Sequence, residues 1–218
     1  MEVEMKAPIS VAQAKVLIDS MRNGYRISRG GGWRPFRKRD TYYSFNGEFV
    51  DYPINIIRIR EECEIGDDSF EAIILGRASH FKEGTNKTFL TVKTKNTDEK
   101  GIETNGETEG ILIGDAKTAF EKSMKICNFK PYFQKRKDSV SFYVADNDLN
   151  REMHCEIVNV NGYGPYLEVE VIVPDVTNKD ESSFTNVEDA KNFIKDFFYK
   201  TLGIHEFDGR SWSVIIKE

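Results

Sequence analysis

The chain is short of the residues that would commit it to a disulfide scaffold, a membrane or a nucleic acid. Its three cysteines, Cys63, Cys127 and Cys155, are odd in number and show no Cys-x-x-Cys spacing. Neither a disulfide framework nor a thiolate zinc site is indicated, and all three read as buried thiols in a reducing compartment. The three histidines, His80, His154 and His205, are scattered without metal-ligand spacing, and no Ser-His-Asp or Cys-His mechanism has a local signature. No run approaches the roughly 18 consecutive apolar residues of a membrane-spanning helix, and the opening MEVEMKAPIS lacks the apolar core of a secretion signal. A cytoplasmic protein without membrane partners is therefore expected. Positive charge is not in excess: 31 Lys and Arg stand against 36 Asp and Glu, a formal net charge of -5, which argues against a nucleic-acid partner because phosphate-backbone affinity needs a net basic face. A local basic pocket stays open. The glycine run Ser28-Arg29-Gly30-Gly31-Gly32 is not a phosphate-binding P-loop, since no Gly-Lys-[Ser/Thr] follows and no helix opens behind it.

Against these absences stands enough apolar surface for a core: 39% hydrophobic and 12% aromatic residues, including 15 Phe and 9 Tyr, in 218 residues. All-β barrels of about this length form one unit, and a single domain over 1–218 is expected. Glu2 to Lys6 alternates charged and apolar residues, the period of a strand. Ser10 with Gln13 forms a capping-box signature ahead of Val11, Ala14, Leu17, Ile18 and Met21 at helical spacing, ended by Asn23-Gly24. A Gly- and Arg-rich loop over Ser28–Lys38 precedes candidate strands near Asp40–Phe45, Ile54–Glu62, Phe70–Gly76, Thr88–Lys95 and Glu107–Ile113. A second helix is expected over Asp115–Cys127 behind an Asp cap, then strands at Tyr132–Lys137, Ser141–Ala145, Met153–Val160 and Tyr166–Val173. After a polar linker over Thr177–Ser183, a third helix runs from Val187 to Leu202, with Gly203 at its end. About eight or more short strands with helices outside them predict an α+β fold, a closed antiparallel β-barrel.

Charged residues recur two apart on several of these strands: Glu2/Glu4/Lys6, Arg58/Arg60, Lys93/Lys95, Glu107/Glu109, Lys135/Lys137 and Glu168/Glu170. Any one pair suits the solvated face of an antiparallel sheet. Lining one closed barrel together, the cations would bind phosphate oxygens and the carboxylates would hold a hard divalent cation through oxygen ligands. Both are needed, because a triphosphate approaches carboxylates only with metal between them. The basic stretch from Arg26 to Arg39, interleaved with Trp33 and Phe36, reads as a solvated loop or as an anion-gathering rim. The Phe-bearing stripe of the third helix reads as packing.

These motifs, in this order, resemble the CYTH superfamily of triphosphate tunnel metalloenzymes. Glu2-Val3-Glu4-Met5-Lys6 reads as its ExExK signature, Asp40-Thr41-Tyr42-Tyr43 as its D-x-Y-Y segment, Ile57-Arg58-Ile59-Arg60 as its R-x-R strand and Leu90-Thr91-Val92-Lys93 as its lysine strand. Lys135-Arg136-Lys137 resembles the basic strand after the middle helix, and Gly162-Tyr163-Gly164-Pro165-Tyr166-Leu167-Glu168-Val169-Glu170 the G-x-G…E-x-E segment. The resemblance implies a tunnel barrel with Glu2, Glu4, Glu168 and Glu170 as ligands of Mg²⁺ or Mn²⁺, and with Lys6, Arg58, Arg60, Lys93, Lys135, Arg136 and Lys137 on the phosphates. It implies Lys93 and Tyr42 as the pair that prepares an attacking water. Ser44 and Val158 stand where the family carries Asp, and Lys137 where many members carry Arg, a fork replaced by a point charge. The expected partner is a small-molecule triphosphate or nucleotide, and a homodimer is left open. Hydrolysis is the first functional expectation, a class IV adenylyl cyclase the alternative, and a non-catalytic nucleotide or polyphosphate binder a third.

Overall fold

A computed structural model describes residues 1–22, 34–49, 55–65, 70–75, 86–97, 99, 102–146, 151–173, 184 and 186–217. Asn23-Gly24, the glycine run, Trp33, His80 and the 177–183 linker lie outside them. The chain runs β1 (Glu2–Pro8), α1 (Val11–Arg22), β2 (Arg34–Phe45), β3 (Asn55–Glu64), α2 (Phe70–Ile74), β4 (Lys87–Thr97), β5 (Glu103–Ile111), α3 (Ala116–Ile126), β6 (Phe129–Asp146), β7 (Arg151–Val160), β8 (Tyr163–Ile172), α4 (Val187–Leu202) and α5 (Trp212–Ile215). The eight strands close a barrel in the order β1-β5-β4-β3-β2-β6-β7-β8, with antiparallel pairing throughout. The expected α+β barrel is the observed one.

The barrel is apolar outside and charged within. Successive side chains on a strand point to opposite faces, so on β1 Val3, Met5 and Ala7 face outward while Glu2, Glu4 and Lys6 face the lumen. On β8, Leu167, Val169 and Val171 alternate with Glu168 and Glu170 in the same way. The outward residues of β1, β6, β7 and β8 join Ala14, Leu17 and Ile18 of α1 and Ala190, Ile194 and Phe198 of α4 in one continuous core. That core drives closure, because burying a large apolar side chain contributes about 1.5–3 kcal/mol. A smaller cluster sets Tyr43 and Ile59 against Met124 of α3.

Local signals explain the helix ends. The Ser10 N–H donates to Gln13 Oε1 at 2.9 Å, and the Gln13 N–H donates back to Ser10 Oγ at 3.1 Å, the reciprocal capping box. Asn186 Oδ1 accepts from the Asp189 N–H at 2.9 Å to open α4, and Gly203, at φ +64°, closes it in the left-handed conformation that glycine adopts without strain. Asp115 occupies the N-cap position of α3 but makes no side-chain capping bond.

Several expectations are corrected. The strand expected over Phe70–Gly76 is instead helical at Phe70–Ile74, with Ile73 and Ile74 both buried; Gly76 lies outside the described residues. The strand expected from Asp40 begins six residues earlier, at Arg34, so Arg34–Lys38 belongs to the sheet rather than to a loop. The segments Tyr132–Lys137 and Ser141–Ala145 are one strand of 18 residues, β6, whose first half pairs with β2 and second half with β7. Cys63 and Cys155 are buried, but Cys127 is exposed at the end of α3.

Candidate functional site

The lumen encloses about 250 Å³. Among the described residues, eight carboxylates (Glu2, Glu4, Glu103, Glu107, Glu109, Glu156, Glu168, Glu170) and eight cations (Lys6, Lys38, Arg58, Arg60, Lys93, Lys95, Lys135, Lys137) line it. Register explains how such distant positions meet. Glu4 lies opposite Glu170 and Lys6 opposite Glu168 across β1–β8; Asp40 lies opposite Arg60 on one side and Lys135 on the other, and Tyr42 opposite Arg58.

The charges sort into three groups. The first centres on Asp40, which is 1% exposed. Its Oδ1 accepts from Arg60 Nε at 2.8 Å and its Oδ2 from Arg60 Nη2 at 3.0 Å, while Lys135 Nζ lies at 3.6 Å and Arg58 Nη1 at 3.9 Å. Burial alone would raise the Asp40 carboxyl; Arg60, Arg58 and Lys135 outweigh it and hold the group well below the usual carboxylate range. One anion therefore sets three cations side by side. Arg58 keeps a buried Nε–H without a hydrogen-bond partner. Burial lowers Lys135 to about 8, with Asp40 and Glu168 opposing.

In the second group Lys137 bridges Glu156 and Glu168, and Lys38 bonds Glu156 and lies 3.7 Å from Glu62. Trp212 Nε1–H donates to the other oxygen of Glu168 at 2.7 Å. Burial would raise Glu168, but Lys137 and Lys135 bring it down to about 2.

The third group is acidic. One carboxylate oxygen from each of Glu2, Glu4 and Glu170 lies within 4.8 Å of the others. Lys93 Nζ sits 2.6 Å from Glu2, 3.3 Å from Glu107 and 3.5 Å from Glu4. Burial raises both Glu2 and Glu4; Glu170 adds to it at Glu2, Glu103 and Glu168 at Glu4, and Lys93 only partly compensates. The set therefore fits a hard divalent cation: three convergent carboxylates, with a neighbouring amide oxygen, Asn105 Oδ1, that has no partner. Glu168 stands apart from this set, its oxygens taken by Lys137 and Trp212.

The expected site residues therefore separate. Lys6, Arg58, Arg60, Lys93, Lys135 and Lys137 all line the lumen, as do Glu2, Glu4, Glu168, Glu170 and Tyr42. Arg136 does not. It lies between the inward positions 135 and 137, its side chain is 43% exposed, and it pairs with Asp138 on the outer face. Lys93 and Tyr42 belong to different groups: the Tyr42 hydroxyl donates to Asp40 Oδ2 at 3.3 Å, while Lys93 is held among glutamates. Val158 packs with Val160 and Tyr166 against Trp212, so an apolar residue stands there because the carboxy-terminal indole needs a surface. Ser44 donates its hydroxyl to the Glu48 carbonyl in a turn.

Sequence reading missed Lys38, Thr91, Asn105, Glu156, His154 and Trp212. Lys38 was recoverable by counting back two from Asp40 on the same strand, whereas Glu156 faces the lumen opposite Glu168 in a register set beyond the Val158/Val160 irregularity. Trp212 had no such signal, since it lies on α5, whose placement at the lumen depends on tertiary packing.

No family model and no curated protein sequence matches the chain. Solved structures do. A protein from Pyrococcus horikoshii superposes with a TM-score of 0.68 at 20% identity, covering 100% of both chains. A Vibrio parahaemolyticus protein assigned as an adenylate cyclase superposes at 0.60 with 10% identity, over 100% of this chain and 98% of that one. A Hippeastrum protein, assigned as an adenylyl cyclase and described by a dominant triphosphatase activity, superposes at 0.58 with 13% identity, over 100% and 95%. The barrel has the CYTH fold. At one part of the present lumen Tyr42, Tyr132, Phe133 and Ile56 replace charge with apolar surface, with Trp212 between Ser211 and Ser213 beside them. Tyr42 packs at 5.5 Å from Phe133 and 6.4 Å from Tyr132, ring centre to ring centre.

Proposed function

We propose that this chain is a metal-dependent triphosphate phosphohydrolase acting inside its lumen. The observation that carries the reading is the division of one closed cavity into a cationic wall organised by Asp40 and a carboxylate cluster of Glu2, Glu4 and Glu170. A polyanion lying along the cavity meets Arg58, Arg60 and Lys135 as donors, and Lys6 and Lys137 extend the same surface. The three glutamates would hold Mg²⁺ or Mn²⁺, which when bound neutralises phosphate oxygens and lends Lewis acidity at the scissile phosphorus.

The chain's own groups do the rest. Burial opposes the charge of Lys93, but Glu4, Glu2 and Glu107 outweigh it and raise its pKa above the usual lysine value. Lys93 therefore stays protonated and serves as a fixed donor at the junction of the two regions, not as a base. Burial, reinforced by Asp40, raises the Tyr42 phenol, so it too keeps its proton and orients rather than abstracts. Proton acceptance from water therefore falls to a lumen carboxylate rather than to Lys93 or Tyr42. The aromatic surface of Tyr42, Tyr132 and Phe133 suits the organic part of a nucleotide or similar triphosphate.

The test is to incubate the protein with ATP, thiamine triphosphate and inorganic triphosphate, each with Mg²⁺ or Mn²⁺, and to separate the products by chromatography. Orthophosphate release is expected. Cyclic AMP with pyrophosphate would replace hydrolysis by cyclisation in the same cavity. Retained ligand without product would make the chain a binder.

A further inference from the structure

His154 faces the lumen from β7 and is fixed on three sides. Its Nδ1 lies 2.8 Å from Glu170 Oε1 and its Nε2 lies 2.6 Å from Ser141 Oγ. The ring of Tyr143 packs on the imidazole at 4.8 Å between centres. These contacts follow from register. His154 is opposite Tyr143 across β6–β7 and opposite Glu170 across β7–β8, and Ser141 is the next inward residue of β6 before Tyr143. A carboxylate oxygen only accepts, so Nδ1–H donates to Glu170, and Nε2 shares one proton with the Ser141 hydroxyl.

Glu170 is the loosest member of the acidic group. Glu2 is held by Lys93 and by the Asn105 amide at 3.2 Å, and Glu4 approaches Lys93. The Glu170 side chain is 34% exposed; it faces Glu2 on one side, and His154 bonds its Oε1 on the other. A carboxylate that can rotate does not converge with two others without losing rotamer freedom, and a bond to Oε1 removes that freedom before a cation arrives.

We propose that His154, oriented by Ser141 and Tyr143, is a positioning residue that aims Glu170 at the divalent cation. The proposal rests on the reading of Glu2, Glu4 and Glu170 as the cation site. The Ser141, His154 and Glu170 contacts have the connectivity of a nucleophilic triad, but the acid member is shared with the carboxylate cluster. The chain of bonds ends at the cation, not at a serine nucleophile.

The experiment is Mn²⁺ binding to the full chain without substrate, read by electron paramagnetic resonance and by titration calorimetry. His154→Leu is expected to weaken Mn²⁺ by about 10- to 100-fold and to change the resonance of the bound ion, as loss of an orienting hydrogen bond does at metal sites. Asn places an amide N–H near the position of Nδ1, so His154→Asn is expected to recover part of the affinity. Ser141→Ala, which leaves the strand pairing intact, should show a smaller loss of the same kind. A wild-type chain that binds no Mn²⁺ would remove the cation reading itself. Tight Mn²⁺ binding by the wild type, with the same affinity and spectrum in His154→Leu and Ser141→Ala, or with equal losses in His154→Leu and His154→Asn, would overturn the role given to His154 while leaving the cation site in place.

Discussion

Asp40→Asn is the substitution that most directly tests how the cationic wall is assembled. Asparagine keeps the volume and can still bond Arg60 once, but it withdraws the negative charge shared by Arg58, Arg60 and Lys135. Removing one partner of a buried ion pair costs about 3–5 kcal/mol. The side chains of Arg58 and Arg60 keep 11% and 15% exposure, so some hydration survives and the lower end, about 3 kcal/mol, is expected. For a chain of this size each kcal/mol corresponds to roughly 2–4 °C, so the melting temperature should fall by about 6–12 °C in calorimetry. The cost is electrostatic and a triphosphate supplies the missing charge, so ligand should raise the melting temperature more in Asp40→Asn than in the wild type. A variant that melts within about 1 °C of wild type, or that gains no more from triphosphate, would refute the idea that one anion organises the three cations.

Three further outcomes follow from the same geometry. Lys135, held at about 8 in the empty lumen by burial, should regain its proton when a triphosphate docks. Affinity should then fall by up to about tenfold per pH unit above pH 8, and Lys135→Met should flatten that slope in calorimetry. In the unliganded protein the same group works the other way: the unfolded chain holds the proton up to 10.5 and the folded one does not, so its contribution to stability rises with pH between about 8 and 10.5. Trp212→Ala removes the indole from Tyr166, Val158 and Val160 and leaves Glu168 without its donor. A loss of about 3–5 kcal/mol is expected in denaturant unfolding, against about 1.5–3 for Trp212→Phe, which keeps most of the packing. Arg136→Ala should change triphosphate affinity by less than about twofold, since an exposed pair contributes little, whereas Arg58→Ala should lower it by an order of magnitude or more in the same titration.

The barrel was legible because its signals are local and periodic. The capping box at Ser10 and Gln13, the charge alternation at Glu2 to Lys6 and the glycine after Leu202 each depend on a few neighbouring residues. Phe70–Gly76 misled because a short apolar run has no period long enough to separate helix from strand. Arg136 misled because a run of three basic residues conceals which face each one takes. The inward face of Glu4, Arg60 and Glu170 was open to expectation from spacing, but their partners were not, since Glu4 meets Glu170 only when β1 closes on β8 and Asp40 meets Arg60 through the β2–β3 register. The ion pairs of Lys137, and the contact of Trp212 with Glu168, need the order β2-β6-β7-β8 and the path of the carboxy-terminal segment, which no local pattern encodes.

The alternation of strand faces also bears on how far such a sequence can drift. Each strand has to satisfy a simple rule, charge on one parity and grease on the other, and many residues obey each half of it. Nearly every position can then change while the barrel remains, which suits a superposition over the full length at 10–20% identity. What the rule does not tolerate is a shift in count. One residue inserted within a strand would turn the charges out to the helices and the core into the tunnel beyond that point, unless a bulge absorbed it, as the irregularities at Tyr42/Tyr43 and Val158/Val160 do here. Substitution is cheap in this architecture, and changes of length belong in the loops.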